Sequence, residues 1–233
     1  MVAHIRFGGQ QAAELARLCL CSYRGSVYCV FAALLGWFPL RRLVHASGPE
    51  PASAPAPSSR VVLHPHRLAR GLADDVRVQV EKGLWGAVRD VAVITGVEEH
   101  LVRANLFARI PETHELGMVK DLWCRMDGKA EHTIRIGIGR GGTGTAWANG
   151  DPNFAIWKDG WGASDIPDDK ELKKVHPELR WILSVPVMGT SPPVPRLTLN
   201  VDGLRETPSE ARLQKALLCL PRFAFSIAVI LGL

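Results

Sequence analysis

Residues 181–201, WILSVPVMGTSPPVPRLTLNV, contain two apolar runs separated by a proline-rich segment. Short runs rich in valine, isoleucine and leucine are typical of β-strands, and a cluster of glycine, serine and proline between them is typical of a turn. A connection this short joins neighbouring antiparallel strands, because parallel strands need a long crossover. The sequence therefore predicts a hairpin of two strands, residues 181–188 and 196–201.

Three further strands are predicted upstream of this hairpin. They cover residues 101–110 (LVRANLFARI), 116–126 (LGMVKDLWCRM) and 133–138 (TIRIGI). Residues 126–129 form a predicted turn, and residues 150–168 are predicted to be a loop. Because these strands largely follow one another in sequence, we expect them to pair as an antiparallel sheet.

Helices are predicted at both ends of this strand-rich region. Apolar residues recur at spacings of three and four from Val76 to Ile94, so one helix face is apolar, with Asp74 or Asp75 as its cap and an end near Gly96. Short helices are predicted at 145–149 and 168–179, and a last helix from residue 207, with a kink or break at Pro221. The predicted fold class is α+β: an antiparallel sheet with the terminal helices on one face and short helices and loops on the other.

The N-terminal residues 1–46 form an apolar, basic-flanked segment. Residues 25–40 (GSVYCVFAALLGWFPL) carry no charge and lie between Arg24 and the pair Arg41 and Arg42. A spanning helix needs about 17 to 25 apolar residues, so this segment is slightly short. We expect a single membrane anchor here; the alternative is an amphipathic or buried helix at a subunit contact. Residues 47–70, rich in proline, alanine and serine, read as a linker before a domain at 71–233.

The positive charge is concentrated in the N-terminal segment and linker. The chain has a net charge of +5, yet residues 1–70 hold eight arginines and two glutamates, which leaves 20 basic and 21 acidic residues in 71–233. A nearly neutral domain lacks the basic surface that nucleic-acid binding requires. We therefore predict no nucleic-acid partner. The basic residues that flank the apolar segment instead favour a membrane-associated chain. Because positive residues lie on both sides of the segment, they do not set its orientation; we expect the domain on the cytoplasmic side.

Four sequence blocks in the domain resemble the GAF domain, the small-molecule sensing module of many bacterial signalling proteins. The blocks are RANLF at 103–107, IGIG with GTGTAW at 136–147, LRWILSVPV at 179–187 and LNVDG at 199–203. The resemblance implies a GAF-like sensory or regulatory domain that binds an unidentified small molecule or signals by dimerisation. The C-terminal run is apolar nearly all round from Phe223 to Leu233, so a second face of that helix needs cover. We therefore predict a homodimer built on the first and last helices, like the terminal-helix pairing of the family that the chain resembles.

The chain departs from the activity-bearing variants of that family. It lacks the cysteine–histidine pair that holds bilins and the Asn-Lys-x-Phe-Asp-Glu string of cyclic-nucleotide binders. The free-methionine-sulfoxide reductases of this fold need several cysteines near the pocket, whereas Cys124 is the only cysteine between residues 30 and 218. We therefore expect no catalytic residues, no metal and no cofactor; the alternative is an enzyme on the same fold, of reductase type or nucleotide-dependent.

Residues 137–142 match the pattern G-x-G-x-x-G that binds dinucleotides when a long helix follows it. Here the following helix is predicted to stop at residue 149, too early for a dinucleotide-binding unit. We interpret the glycines as a tight turn that requires a positive φ at Gly142 or Gly144.

Large aromatic residues cluster after this turn. Loops that carry several such residues either bury them or stack them on a ligand. The predicted ligand-binding residues are Trp147, Phe154, Trp157, Trp161, Asp165 and Ser184. The alternative is a lid or minor core, in which the tryptophans fill the pocket and the protein acts only through protein contacts.

Overall fold

A computed structural model of the protein describes residues 71–126, 128, 130–157, 169–190 and 192–233. The predicted membrane segment and linker lie outside these residues, so that division of the chain stays a prediction. In chain order the elements are α1 (Asp74–Thr95), a 3₁₀ turn (Glu99–Leu101), β1 (Val102–Ile110), β2 (Glu115–Cys124), a 3₁₀ turn (Glu131–Thr133), β3 (Arg135–Gly137), α2 (Gly141–Asn149), β4 (Asn153–Ile156), α3 (Asp169–Leu172), β5 (Leu179–Met188), β6 (Pro195–Leu204), α4 (Glu210–Cys219) and α5 (Pro221–Leu231).

All six strands form one sheet in the order β3-β2-β1-β6-β5-β4, and every neighbouring pair is antiparallel. The hairpin predicted at 181–201 is β5–β6. The central pair joins the first and last strands, in a register that runs from Val102 opposite Gly203 to Ala108 opposite Leu197. The sheet with helices on it confirms the predicted α+β class.

One face of the sheet is covered by the two chain-terminal helical elements of the domain. Helix α1 buries Val80, Leu84 and Val88, and α5 buries Ala224 and Ile227 in the same core. Removal of an aliphatic side chain from water contributes roughly 1.5–3 kcal/mol. The apolar stripe of α1 therefore fixes this helix on the sheet, as its spacing predicts.

Helix α1 begins differently from the sequence prediction. Its first residue is Asp74 and its N-cap is Ala73, which makes no side-chain capping hydrogen bond. Asp74 and Asp75 instead lie in the first turn, where negative charge interacts favourably with the helix dipole. The predicted end is confirmed, since Gly96 caps the helix with φ 75°, a conformation that glycine adopts without strain.

The glycine-rich turn also differs from its prediction. Positive φ values occur at Gly139 (82°) and Gly141 (54°), not at Gly142 or Gly144. Helix α2 begins at Gly141, so both predicted glycines are helical. Gly144 is still required, because a Cβ at this position would collide with the carbonyl oxygen of Gly137.

Two other elements were misjudged from the sequence. Residues 150–168 were predicted to be a loop, but they contain the short edge strand β4. The helix predicted at 168–179 is only the four-residue α3. Both segments lack a continuous apolar period, so tertiary contacts decide their structure.

The C-terminal helices are separated at Leu220, which confirms the break predicted at Pro221. Taken together, Glu210–Leu231 is long and apolar enough to cross a bilayer by length and composition, with a mean hydropathy of 1.5. One face of it is buried in the core, through Leu213, Leu220 and Ile227. A helix that packs on its own domain passes the same test, so the stretch is weak evidence for a membrane span.

Candidate functional site: a cavity with a charged floor

A cavity of about 60 Å³ lies on the sheet face opposite α1, and we call it the central cavity. Its floor is formed by β1 and β6, and its cover includes the start of α2 and the segment around Glu131. The lining residues are Arg103, Asn105, Phe107, Met118, Met126, Glu131, Ile134, Ile136, Gly141, Gly142, Thr143, Val175, Leu179, Ile182, Asn200 and Asp202. The lining combines charged and polar side chains with apolar ones, which is typical of a site for an amphipathic small molecule.

Alternation along β1 and β6 places the polar side chains on this floor. Successive strand residues point to opposite faces, so Arg103 and Asn105 face the cavity while Ala104 and Leu106 face the helix-covered core. The register then sets Arg103 opposite Asp202 and Asn105 opposite Asn200. Two polar pairs thus lie side by side in the middle of the sheet.

Arg103 forms the centre of a buried ionic group. Its Nε donates to Oδ1 of Asp202 at 2.7 Å, and its Nη1 donates to Oε2 of Glu131 at 3.0 Å. Only 3%, 5% and 8% of the Arg103, Asp202 and Glu131 side chains are exposed. Charges this deeply buried are stable only when they are paired and hydrogen-bonded.

Glu131 reaches Arg103 from a short 3₁₀ turn rather than from the sheet. The backbone N–H of Glu131 donates to the carbonyl of Gly128 at 3.0 Å, which closes the turn. A Cβ on Gly128 would stand only 2.8 Å from Oε2 of Glu131. Because Gly128 has no side chain, there is space next to it for the Glu131 carboxylate.

A chain of hydrogen bonds between neutral side chains extends from α2 to the carboxylate of Asp202. Thr143 Oγ1 donates to Oδ1 of Asn200 at 3.3 Å, and Asn200 Nδ2 donates to Oδ1 of Asn105 at 3.2 Å. Asn105 Nδ2 in turn donates to Oδ2 of Asp202 at 3.3 Å. Each group donates to the next, and only the last donor, Asn105, contacts Asp202. Because Arg103 donates to the other oxygen of Asp202, both oxygens of this carboxylate are held, and the chain links α2 to β1 and β6.

The electrostatics of the cavity are set by one guanidinium and two carboxylates. Burial lowers the pKa of Arg103, but Asp202 and Glu131 more than offset this and raise its pKa above the ordinary value. Arg103 is therefore always charged. Among the described lining residues, no other side chain carries a formal charge, so the charged floor has a net formal charge of −1.

None of the described aromatic residues that are predicted to bind a ligand lines the central cavity. Trp147, on α2, packs partly buried against an apolar cluster that contains Phe107 and Ile136. Phe154, on β4, packs against the helix-covered core. The guanidinium of Arg180 stacks 4.4 Å above the Trp157 ring. That these three residues contact a ligand stays a prediction. Trp161 and Asp165 lie outside the described residues.

Ser184, the remaining predicted residue, lies on β5 next to the floor. It is fully buried opposite Asn200, and a Cβ on the lining residue Gly142 would be 3.4 Å from its Oγ. The hydroxyl has no hydrogen-bond partner within the described residues. A buried hydroxyl without a partner is uncommon and marks a position where a water or ligand atom can be accommodated.

The two described cysteines lie outside the central cavity. Cys124 faces the helix-covered core, and Cys219 lies at the end of α4 on the same side. Burial raises the pKa of the Cys124 thiol to about 12 and that of Cys219 to about 11. Both side chains are therefore protonated and packed near neutral pH, unlike reactive cysteines, whose pKa is lowered.

The charged floor was missed at the level of sequence, although a signal for it exists. Arg103 and Asn105 alternate with apolar residues in an otherwise apolar strand, and Asn200 and Asp202 do the same. Polar residues at alternate positions in a central strand indicate a polar face on an otherwise buried sheet. The contribution of Glu131 had no such signal, because it comes from an isolated turn.

No protein-family model matches the chain, and no curated protein matches it. Solved structures do match. A free methionine-R-sulfoxide reductase from Neisseria meningitidis, in complex with its substrate, is 17% identical over 70% of this chain and 93% of that chain, with a TM-score of 0.42.

Other matching structures are described as GAF domains. The GAF domain of an Acinetobacter phosphoenolpyruvate-protein phosphotransferase is 13% identical over 71% of this chain and 89% of its own, with a TM-score of 0.41. A GAF domain/HD domain protein from Geobacter sulfurreducens is 11% identical over 67% and 97%, with a TM-score of 0.44. With TM-scores below 0.5 and these low identities, the matches carry no argument about what this chain does. The six-stranded antiparallel sheet with helical elements on both faces has the GAF-like α+β architecture that the sequence blocks predict.

Proposed function

We propose that this chain is a non-catalytic, GAF-like sensory or regulatory domain that binds a small molecule in the central cavity. The observation that carries the proposal is the charged floor, in which three ionic side chains are almost completely buried beside a void. An apolar core of the same volume stabilises a fold at least as well as a buried ion pair. A polar floor under a cavity is therefore better explained by recognition than by stability.

The lining chemistry favours binding over catalysis. It offers amides, a hydroxyl and an ionic group locked in mutual hydrogen bonds, and these groups orient a ligand without supplying a nucleophile next to a base. Reductase chemistry on this fold is the second candidate. It is disfavoured by the position of Cys124, which faces the opposite side of the sheet, and by its raised pKa.

A sensory domain that catalyses no reaction passes on its signal by binding another protein chain. We propose that this chain does so as a homodimer. The C-terminal helix α5 leaves Phe225 70% exposed and Val229 63% exposed. Large apolar side chains that are exposed together favour a protein contact. Membrane association through residues 25–40, with the domain on the cytoplasmic side, belongs to the same proposal.

The function is tested by native mass spectrometry of the full-length protein, purified gently in mild detergent from its own cells. We expect a co-purified small molecule that is released on unfolding. The variant Val175→Phe fills the cavity from its rim and should lose that molecule, whereas Val194→Phe, at an exposed position, should retain it. Retention of equal amounts by both variants would place the ligand elsewhere and refute the proposal.

A further inference from the structure

We infer that the ligand of the central cavity is a small organic monocation, an alkylammonium-type group carried on a short apolar body. The inference rests on the proposed function and names the ligand class of the same site. It follows from three features of the described cavity: its net charge, the direction of its hydrogen bonds and its apolar lining residues.

The net charge gives the sign of the ligand. Arg103 neutralises one of the two carboxylates, and the second carboxylate is left without a cation among the described lining residues. An uncompensated charge in a buried site costs several kcal/mol, because it is removed from water without an opposite charge nearby. A bound monocation brings the charged floor to neutrality.

The hydrogen bonds indicate which carboxylate binds the monocation. Asp202 already accepts from Arg103 at one oxygen and from Asn105 at the other. Glu131 accepts from Arg103 at Oε2, and its carboxylate lines the cavity. An ammonium group is a donor with three N–H bonds and no acceptor, so it matches a site whose available groups are carboxylate and amide oxygens.

The apolar lining residues indicate the chemistry of the rest of the ligand. Phe107, Met118 and Ile136 belong to a buried apolar cluster and also line the cavity. An inorganic cation with a hydration shell would leave these side chains facing water. An aromatic face and a polarizable thioether are favourable neighbours for an organic ammonium. A volume of about 60 Å³ is suited to a body of a few carbon atoms.

The experiment compares three probes of equal size on the full-length protein at constant ionic strength. They are butylammonium chloride, 1-butanol and sodium butyrate, with sodium chloride as the salt control. We expect butylammonium alone to raise the melting temperature by several degrees, since a ligand stabilises the state it binds. The inference is overturned if the melting temperature rises with 1-butanol or butyrate instead, or if it rises equally with sodium chloride. It is also overturned if no probe raises the melting temperature.

The matched variants are Glu131→Gln and Glu115→Gln. The first removes one negative charge from the cavity, and the second removes one from the exposed pair with Arg135. Butylammonium should stabilise Glu115→Gln as it does the wild type and should have no effect on Glu131→Gln. Val175→Phe, which keeps all the charges, should also lose the effect. An unchanged butylammonium effect in Glu131→Gln refutes the inference even if native mass spectrometry finds a ligand, so the two proposals can fail separately.

Discussion

Nε of Arg103 lies 2.7 Å from Oδ1 of Asp202. The two residues are opposite each other on β1 and β6, which are the first and last strands along the chain and the central pair of the sheet. This contact connects positions 99 residues apart in sequence. It therefore contributes to closing the fold and, at the same time, forms the floor of the central cavity. Stability and recognition consequently depend on the same pair of side chains.

Replacement of Arg103 by methionine should destabilise the domain strongly. It leaves two buried carboxylates without a cation, and the loss of one partner from a buried ionic group costs about 3–5 kcal/mol. Arg135→Met removes a charge from an exposed pair at 3.6 Å and should cost less than about 1 kcal/mol. Urea unfolding followed by tryptophan fluorescence measures both values, and equal values would show that the buried group has no special role.

Substitution of Gly144 should be much more harmful than substitution of Gly142, although both glycines are helical. A methyl group at Gly144 collides with the carbonyl oxygen of Gly137, whereas at Gly142 it makes ordinary contacts beyond 3.4 Å with Ser184 or Ala155. Overpacking of this kind costs about 1–3 kcal/mol. We expect a lower melting temperature for Gly144→Ala and little change for Gly142→Ala. The reverse order would contradict the packing of α2 against β3.

The described cysteines should be unreactive in the folded protein. Because burial raises the pKa of Cys124 to about 12 and of Cys219 to about 11, almost no thiolate is present at pH 8, and the thiolate is the reactive form. Alkylation with iodoacetamide, mapped by peptide mass spectrometry, should modify both residues only after unfolding. Rapid modification of native Cys124 at pH 8 would be inconsistent with its position under α1.

The same shifts predict a loss of stability in alkaline solution. Both folded-state pKa values lie above the ordinary value of 9.0, so the folded state keeps its protons to higher pH than the unfolded state. The free energy of unfolding should therefore fall as pH rises above about 9. The variant Cys124→Ala should flatten this decline between pH 9 and 11, and an unchanged slope would exclude Cys124 as a cause.

The proposed homodimer predicts an effect of charge on the outer face of α5. Phe225→Asp places a carboxylate at a side chain that is 70% exposed, so the monomer should fold normally while self-association is lost. Val194→Asp, at an exposed loop position, is the control. Light scattering of full-length protein in mild detergent at micromolar concentration should give a dimer for wild type and control and a monomer for Phe225→Asp. A monomeric wild type would eliminate this surface as a dimer contact.

Local patterns in the sequence predicted the regular elements of the fold. The spacing of Val80, Leu84 and Val88 specifies one helix face, and the two runs in 181–201 specify a hairpin, because period and turn chemistry act between near neighbours. Strand β4 escaped prediction because its four residues are all half-buried at a sheet edge. Such a strand has no alternation to detect, and its pairing with β5 stabilises it.

The candidate site depended on tertiary structure. Sequence periodicity indicates that Arg103 and Asp202 each occupy a polar position in an apolar strand, but only the register of β1 on β6 sets them opposite each other. Glu131 joins them from a turn that has no periodic signal. The aromatic cluster at 147–157 was visible in the sequence, yet none of its described members lines the cavity, and Phe154 packs against the helix-covered core. A short-range pattern determines which face of an element is buried, whereas the contacts between faces arise only when distant elements pack together.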